Sequence, residues 1–199
     1  MKKEMYDLAE KAIEIAKSSG ADDCRVSIGG ERFVEISYRD RKPENIKEAS
    51  TKGLRVEIFV DKRYSSQTTS DLRPESLKAF IGNAVASTRL LAEDPFRTLP
   101  DPKYYQGRAT IDLKQYDPDY DKVTPESRHS FVKAIEESCL SKGGDKVISV
   151  TAGCYDSHAE QVLMTSNGFD GYEEASVFYG GAEMTAKDEG DRRPAEYSV

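Results

Sequence analysis

Tryptophan is missing from this 199-residue sequence, and histidine and cysteine are scarce, with two and three residues respectively. A His-rich metal site or His-based catalysis in this chain would therefore have to use His129 or His158. The three cysteines, Cys24, Cys139 and Cys154, are odd in number and far apart in the sequence. This pattern favours reduced thiols over a disulfide framework, so we expect a cytoplasmic protein.

Long apolar runs and an excess of basic residues are missing as well. Lys, Glu and Asp interrupt the apolar residues from the first residue onward, which leaves no signal-peptide core of about 7–15 apolar residues. No stretch approaches the ~18 apolar residues that a membrane span requires. Asp and Glu total 36 against 29 Lys and Arg, a net charge of −7. Because binding to a nucleic-acid backbone needs clustered positive charge, we expect neither a nucleic-acid nor a membrane partner.

Apolar residues that are present alternate between helical and strand spacing. The helical period predicts three helices. The first has apolar positions from Met5 to Ala16 and stops at Ser18-Ser19-Gly20, and the second begins near Pro74 with Leu91 as its last apolar position. The third has Thr124 as its N-cap and ends at Gly143-Gly144. A period of two predicts short strands over residues 24–28, 33–38, 54–60, 64–69, 147–155, 161–165 and 175–185. Together they indicate an α+β fold, with helices packed on antiparallel meander sheets.

Several connections between these strands are also predicted. Gly29-Gly30 is typical of a turn between two strands, and the charged segment 39–52 is expected to be a connection broken at Pro43. Asp61-Lys62-Arg63 is expected to form a tight turn, and Asp156-Ser157 a hairpin turn.

The chain is organised around a central segment, 95–123, that is rich in proline and tyrosine. We expect this segment to be a long loop joining two halves, 1–94 and 124–199, of one domain spanning residues 1–199. Both halves contain Ala-Ile-Glu, then glycine and aspartate, then an alternating strand. This indicates an internal helix-plus-meander repeat, although chance recurrence of Ala-Ile-Glu would account for it equally well.

Cys154, Asp156, His158 and Glu160 form the best local candidate for a metal site. On one continuous strand these side chains would share a face, and all four are zinc or iron ligands in other proteins. A hairpin turn at Asp156-Ser157 would instead break the register and leave His158 at a loop tip. We favour the turn, and therefore predict no metal site.

Other motifs with catalytic or ion-binding chemistry are incomplete. The segment 117–121 resembles the start of a calcium loop, but Lys122 stands in place of the required glycine and Arg128 in place of the bidentate glutamate. No nucleophile elbow or phosphate-binding loop occurs, and His129 is expected to be a surface histidine. We therefore predict no catalytic residue from local motifs.

The order of several short motifs is more informative than any single residue. They are Gly20-Ala21-Asp22, Gly53-Leu54-Arg55-Val56, Thr69-Ser70-Asp71, Glu75-Ser76-Leu77, Glu93-Asp94-Pro95 and Ser166-Asn167-Gly168-Phe169. This series resembles the TldD/PmbA family, zinc metallopeptidases of peptide maturation that were formerly called modulators of DNA gyrase. The Ser-Asn-Gly-Phe stretch is similar to the PmbA-like (TldE) branch.

The resemblance implies an α+β N-terminal domain, which family members follow with a larger β-rich domain. In the TldD branch that second domain holds zinc on a His-Glu-x-x-x-His helix, a motif that is not found in residues 1–199. The expectation is therefore that the zinc domain is absent from this chain, that no catalytic or metal-binding residue carries over, and that zinc belongs to that domain or to a partner subunit. Gly53, Asp71, Asn167 and Gly168 carry over as structural positions for unusual backbone angles, caps and turns.

The expected role is assembly with a homologous family subunit, as a homodimer or heterodimer, and control of access to a zinc site outside the chain. The expected substrate is a peptide, and the chain by itself is not expected to be active. The alternative is a standalone, non-enzymatic binding module that adds a peptide strand to an open sheet edge.

Overall fold

The computed structural model describes residues 2–188 and 191–198, which contain three helices and six strands. The helices are α1 (Lys2–Ser18), α2 (Pro74–Thr88) and α3 (Pro125–Gly143). The strands are β1 (Asp23–Arg39), β2 (Lys42–Val60), β3 (Arg63–Thr69), β4 (Val147–Thr165), β5 (Asp170–Asp188) and β6 (Asp191–Ser198). None of the described helices is long and apolar enough to cross a membrane.

The described strands form one sheet with the order β3-β2-β1-β4-β5-β6. Strands β2 and β3 are antiparallel, with Leu54 opposite Thr69, and β5 and β6 are antiparallel, with Gly181 opposite Ser198. Strands β1, β2 and β3 are neighbours in one half of this sheet order and follow α1 in the sequence. Strands β4, β5 and β6 are neighbours in the other half and follow α3. The predicted α+β fold with antiparallel meanders is therefore confirmed, and its topology repeats.

The turn predicted at Gly29-Gly30 is wrong, because β1 passes through both glycines without a break. A Cβ atom on Gly29 would lie 3.1 Å from the Glu160 carbonyl oxygen, so glycine allows the neighbouring strand to approach closely. The chain reverses instead at Asp40-Arg41, where φ is 51° and 60°. Two successive positive φ values are typical of a type I′ hairpin turn, whose twist suits the flanking strands.

The charged segment 39–52 is also not a connection, because most of it belongs to β2. Residues 42–48 of this strand are exposed, which explains why the segment lacks the apolar alternation of a half-buried strand. The tight turn at Asp61-Lys62 is confirmed, with φ of 51° and 58°.

The hairpin turn predicted at Asp156-Ser157 is also wrong. Asp156 and Ser157 lie within a continuous strand, and both are buried. Asp and Ser favour turns by residue type, but here both side chains are buried within the strand, and residue type alone does not report that burial. The reversal comes at residues 166–169, where Gly168 has φ +102° and its N–H donates to the Thr165 carbonyl.

The chain divides into two compact units whose segments interleave in sequence. Unit 1 comprises residues up to 31, 51–113 and 159–174, and unit 2 comprises residues 32–50, 114–158 and those from 175 onward. The proposed halves 1–94 and 124–199 therefore stay a prediction about sequence segments, since each unit draws on both of them.

Each unit has its own core. In unit 1, the apolar faces of α1 and α2 pack on β1 and β2, and Val162 of β4 completes this core. In unit 2, Val132 of α3 packs with Ile36 and Tyr38 of β1 and with Ala152 of β4. Burying one apolar face of each helix against a sheet is the usual solution for an α+β fold.

Helices α2 and α3 begin where the sequence predicts, whereas α1 begins at Lys2, before its first predicted apolar position at Met5. Thr124 is confirmed as the N-cap of α3: its hydroxyl accepts from the Ser127 N–H at 3.1 Å. Helix α2 ends at Thr88, before the predicted Leu91, which is exposed. On α3 the predicted apolar face is only partly buried, since Phe131 is exposed while Val132 is fully buried.

Candidate functional site

A buried ion pair in unit 2 joins α3 to β4. Arg128 donates from Nε to Oδ2 of Asp156 at 2.5 Å and from Nη2 to Oδ1 at 2.7 Å. Its Nη1 donates to the Val123 carbonyl at 3.0 Å, and both side chains of the pair are 5% exposed. The Asp156 hydrogen bonds raise the pKa of Arg128 above its ordinary value, in spite of burial. The pair is therefore a fixed, charged and internally neutralised group.

Tyr120 lies beside this ion pair and is almost fully buried. Its ring packs against the rings of His158 and Phe178, each with centroids 5.6 Å away. Among the described residues, its hydroxyl has no hydrogen-bond partner. Burial first, and then the neighbouring Asp156 carboxylate, raise the pKa of Tyr120 to about 12, so the hydroxyl keeps its proton.

A cavity of about 420 Å³ opens next to the pair, between α3, β4 and β5. We call it the Arg128 pocket; it is lined by Val123, Ser127, Arg128, Phe131, Cys154, Tyr155, Asp156, Phe178, Tyr179 and Gly180. A second cavity of about 670 Å³, the α3 groove, shares Phe131 and Gly180 with it and continues to Lys142. A Cβ atom on Gly180 would lie 2.4 Å from Cε1 of Phe131, so glycine at this position leaves room for the ring.

The ionisable groups of the Arg128 pocket are held in fixed charge states. Burial raises the pKa of the Cys154 thiol, which therefore remains protonated and a poor nucleophile. The charges of Arg128 and Asp156 neutralise each other through two hydrogen bonds. What remains is a largely apolar cavity with a few fixed polar groups, the usual composition of a ligand site.

The four candidate metal ligands of β4 do not converge, although the strand is continuous. Asp156 is engaged by Arg128, the His158 ring packs on Tyr116 and Tyr120, and Glu160 accepts a hydrogen bond from Tyr172 at 3.3 Å. The prediction of His158 at a loop tip is wrong, because it lies within β4.

Two further donors, His129 and Cys24, have local contacts of their own. His129, expected at the surface, is half-buried and its Nδ1 lies 2.9 Å from the Tyr38 hydroxyl. Cys24 is fully buried in the core of unit 1, and burial raises the pKa of its thiol to about 11. Nowhere in residues 2–188 and 191–198 do three His, Cys, Asp or Glu side chains form a group that could hold a metal ion.

Gly53 and Asp71, two of the four motif positions, lie on either side of Thr69 of β3. A Cβ atom on Gly53 would be 3.2 Å from the Thr69 carbonyl oxygen, and the Asp71 N–H donates to the Thr69 hydroxyl at 3.1 Å. The Asp71 carboxylate accepts from the Arg73 guanidinium at 2.5 and 2.8 Å. These hydrogen bonds hold the pKa of Asp71 well below its usual range.

Asn167 and Gly168 form the turn between β4 and β5. The Asn167 amide donates from Nδ2 to the Pro100 carbonyl at 2.9 Å, and its Oδ1 accepts from the hydroxyls of Tyr105 at 3.0 Å and Thr165 at 2.7 Å. The turn thus fixes the segment 100–105 within unit 1. The four motif positions have strand-packing, backbone and turn contacts, and any functional role for them stays a prediction.

Sequence reasoning missed the Arg128–Asp156 pair. The buried face of α3 carries three residues spaced four apart: Arg128, Val132 and Glu136. Helical periodicity is recognised from apolar residues, so the two charged residues of this face do not contribute to the pattern. The spacing of Arg128 and Glu136 four residues on either side of the apolar Val132 is the sequence feature that could have indicated buried charges. Glu136 accepts from the Arg41 backbone N–H at 2.8 Å, which ties α3 to the hairpin turn between β1 and β2.

Comparison with known proteins gives consistent matches along the chain. Residues 24–88 match the family model described as PmbA/TldA metallopeptidase domain 1, and residues 118–199 match the PmbA/TldA metallopeptidase central domain. The predicted N-terminal domain therefore corresponds to two domains in the family's own division. Metalloprotease PmbA of Escherichia coli O157:H7 is 22% identical over 157 residues, or 79% of this chain and 34% of that protein.

Solved structures agree with these matches. A candidate modulator of DNA gyrase from Bacteroides thetaiotaomicron is 30% identical with a TM-score of 0.91, over 97% of this chain and 44% of that one. TldE of Thermococcus kodakarensis is 17% identical with a TM-score of 0.77, over 96% of this chain and 42% of its own, and shows the shared fold alone. The chain thus spans between a third and a half of the relatives it matches. Taken together, these matches show that the chain belongs to the TldD/PmbA family.

Proposed function

We propose that this chain serves as an assembly and access part of a TldD/PmbA-type peptidase system, with a homologous family subunit as its partner. The observation that carries the proposal is the likeness to the Bacteroides thetaiotaomicron protein, which covers 97% of this chain but 44% of the relative. The chain therefore corresponds to one portion of a longer family protein. The Arg128 pocket and the α3 groove fit this role, because both offer a largely apolar binding surface in unit 2.

The proposed substrate class is peptide, in a pathway of peptide maturation or proteolysis. Its support is the metalloprotease named among the relatives, together with the largely apolar cavities of unit 2. Zinc, where a family protein holds it, activates water for attack on a peptide carbonyl. In this proposal zinc belongs to another domain or to a partner subunit, and the residues of this chain bind the partner subunit and guide the peptide. The proposal is supported by the lack, among the described residues, of three His, Cys, Asp or Glu side chains grouped to hold a metal ion.

The test is to purify the chain alone and together with a full-length TldD/PmbA subunit from the same cells. We expect a stable complex in size-exclusion chromatography with light scattering. The chain alone is expected to show neither bound zinc by elemental analysis nor hydrolysis of unfolded peptides. Stoichiometric zinc with peptidase activity in the isolated chain, or no complex with any family subunit, would contradict the proposal.

The alternative, a module that adds a peptide strand, is favoured by one observation: β3 is an edge strand of the sheet. Edge strands leave N–H and C=O groups available for a further strand. Hydrogen exchange separates the two functions, because strand addition would protect the β3 amides when a peptide is added, whereas assembly through the cavities of unit 2 would not.

A further inference from the structure

We propose that the Arg128 pocket binds one aromatic residue of a peptide, with the neighbouring peptide group held by the Arg128–Asp156 pair. That the ligand is a peptide rests on the proposed function. The pocket, the residue class and the hydrogen-bonding group are inferred from the geometry of unit 2.

The polar side of the pocket matches an amide group. Of the five guanidinium N–H groups of Arg128, three are used, two by Asp156 and one by the Val123 carbonyl. Counting partners among the described residues, two donors remain, and the Asp156 oxygens keep lone pairs beyond the two hydrogen bonds that they accept from Arg128. A peptide group offers one carbonyl acceptor and one N–H donor, so it can use both kinds of vacant position at once.

The charge of the pair argues against a charged ligand. Arg128 and Asp156 cancel within hydrogen-bond distance, so a free carboxylate would lose hydration without meeting a net positive charge. A neutral amide has a smaller desolvation cost and finds the same hydrogen bonds. The electrostatics therefore select an internal peptide residue over a free acid.

The apolar side of the pocket matches an aromatic ring. Phe131, Phe178 and Tyr179 line it, yet they are 52%, 46% and 42% exposed. Aromatic side chains pair favourably with a further ring in offset or edge-to-face geometry. The volume of about 420 Å³ lies in the range of small-ligand sites and accommodates a ring with its backbone groups.

The test is an NMR titration of the 199-residue chain with N-acetyl-phenylalanine amide. We expect saturable shifts at Arg128, Phe131 and Phe178, and an affinity about tenfold lower for the Phe178→Ala variant because a ring contact is lost. Val177→Ala is the matched control: Val177 is next in sequence, is 50% exposed and does not line the pocket, so its affinity should match that of the parent chain. Phe131→Ala gives a second pocket variant, and thermal unfolding verifies that each variant is folded.

Three results would overturn the inference. The first is the absence of saturable shifts, and the second is equal binding of N-acetyl-alanine amide. The third is tighter binding of N-acetyl-phenylalanine with a free carboxylate, which would mean that Asp156 does not neutralise Arg128. Failure of the chain to form a complex with a family subunit would overturn the proposed function and leave this pocket assignment standing, so the two are tested separately.

Discussion

At the scale of single residues, charge and burial have to be considered together. Arg128 and Asp156 are the most deeply buried ion pair of the described residues. Arg32 and Glu48 form an ion pair of similar length, but at the surface, where both side chains are exposed to water. Removing one partner from a buried pair leaves an uncompensated charge in a poorly solvated place. The same removal at the surface leaves a solvated side chain and changes little.

Asp156→Asn is therefore expected to lower the free energy of unfolding by about 3–5 kcal/mol. The matched control Glu48→Gln should change it by less than about 1 kcal/mol. Urea denaturation measures both. The double variant Arg128→Met with Asp156→Leu should recover most of the loss, because it removes both charges; no recovery would show that the pair contributes more than charge compensation.

Asn167 anchors a segment through its side chain. Asn167→Ala removes its hydrogen bonds to Pro100, Tyr105 and Thr165, so we expect faster proteolysis of the segment 98–108 and a loss of about 1–3 kcal/mol in stability. Limited proteolysis followed by mass spectrometry measures the cleavage rate. Asn45→Ala is the control, since Asn45 is exposed and donates one hydrogen bond, at 3.3 Å, to Glu35. Equal cleavage rates in the two variants would contradict the anchoring role.

At the scale of elements, the strands are longer than their apolar patterns. Strand β1 continues through two glycines, β2 through a charged segment, and β4 through two adjacent buried polar residues. Periodicity reports only where one face of a strand is buried, and it is silent where both faces are exposed or both are covered. Helix α3 shows the opposite case, since its N-terminus was predicted correctly from local capping chemistry.

The capping box of α3 can be tested directly. Thr124→Ala removes an acceptor for the Ser127 N–H and should lower the free energy of unfolding by about 1 kcal/mol. Ser141→Ala in the last turns of the same helix is the control, because its hydroxyl donates only to the Ser138 carbonyl of the same helix. Chemical denaturation of both variants measures the difference; equal stability would mean that backbone solvation replaces the cap.

At the scale of the whole molecule, each compact unit is assembled from three separate stretches of chain. Unit 1 needs residues 159–174, since Val162 is fully buried in its core. The Cys24 N–H also donates to the Ser166 hydroxyl at 3.0 Å, and the Ser166 N–H donates to the Cys24 carbonyl at 2.9 Å. The core of unit 1 therefore includes packing partners from distant parts of the sequence as well as neighbouring segments.

A fragment of residues 1–113 is consequently expected to lack a cooperative thermal transition, because it removes the β4 contribution to the core of unit 1. Circular dichroism during heating measures this. The control is the folded full-length chain cleaved once near Gly107. A Cβ atom on Gly107 would meet no neighbouring atom within 4 Å, and the cleaved chain keeps all the segments of unit 1. Cooperative unfolding of the fragment alone would show that its own residues suffice for a core.

The sequence by itself determined the helix positions, the cap of α3, the turn at Asp61-Lys62, the α+β class and the family resemblance. These features depend on local backbone preferences and on the order of motifs along the chain, both of which can be read without tertiary contacts. Only the tertiary structure decided that Arg128 meets Asp156, residues 28 positions apart, and that the two lie beside a pocket. The reason is physical: a buried charge is favourable only next to its partner, and that proximity is a property of the folded chain.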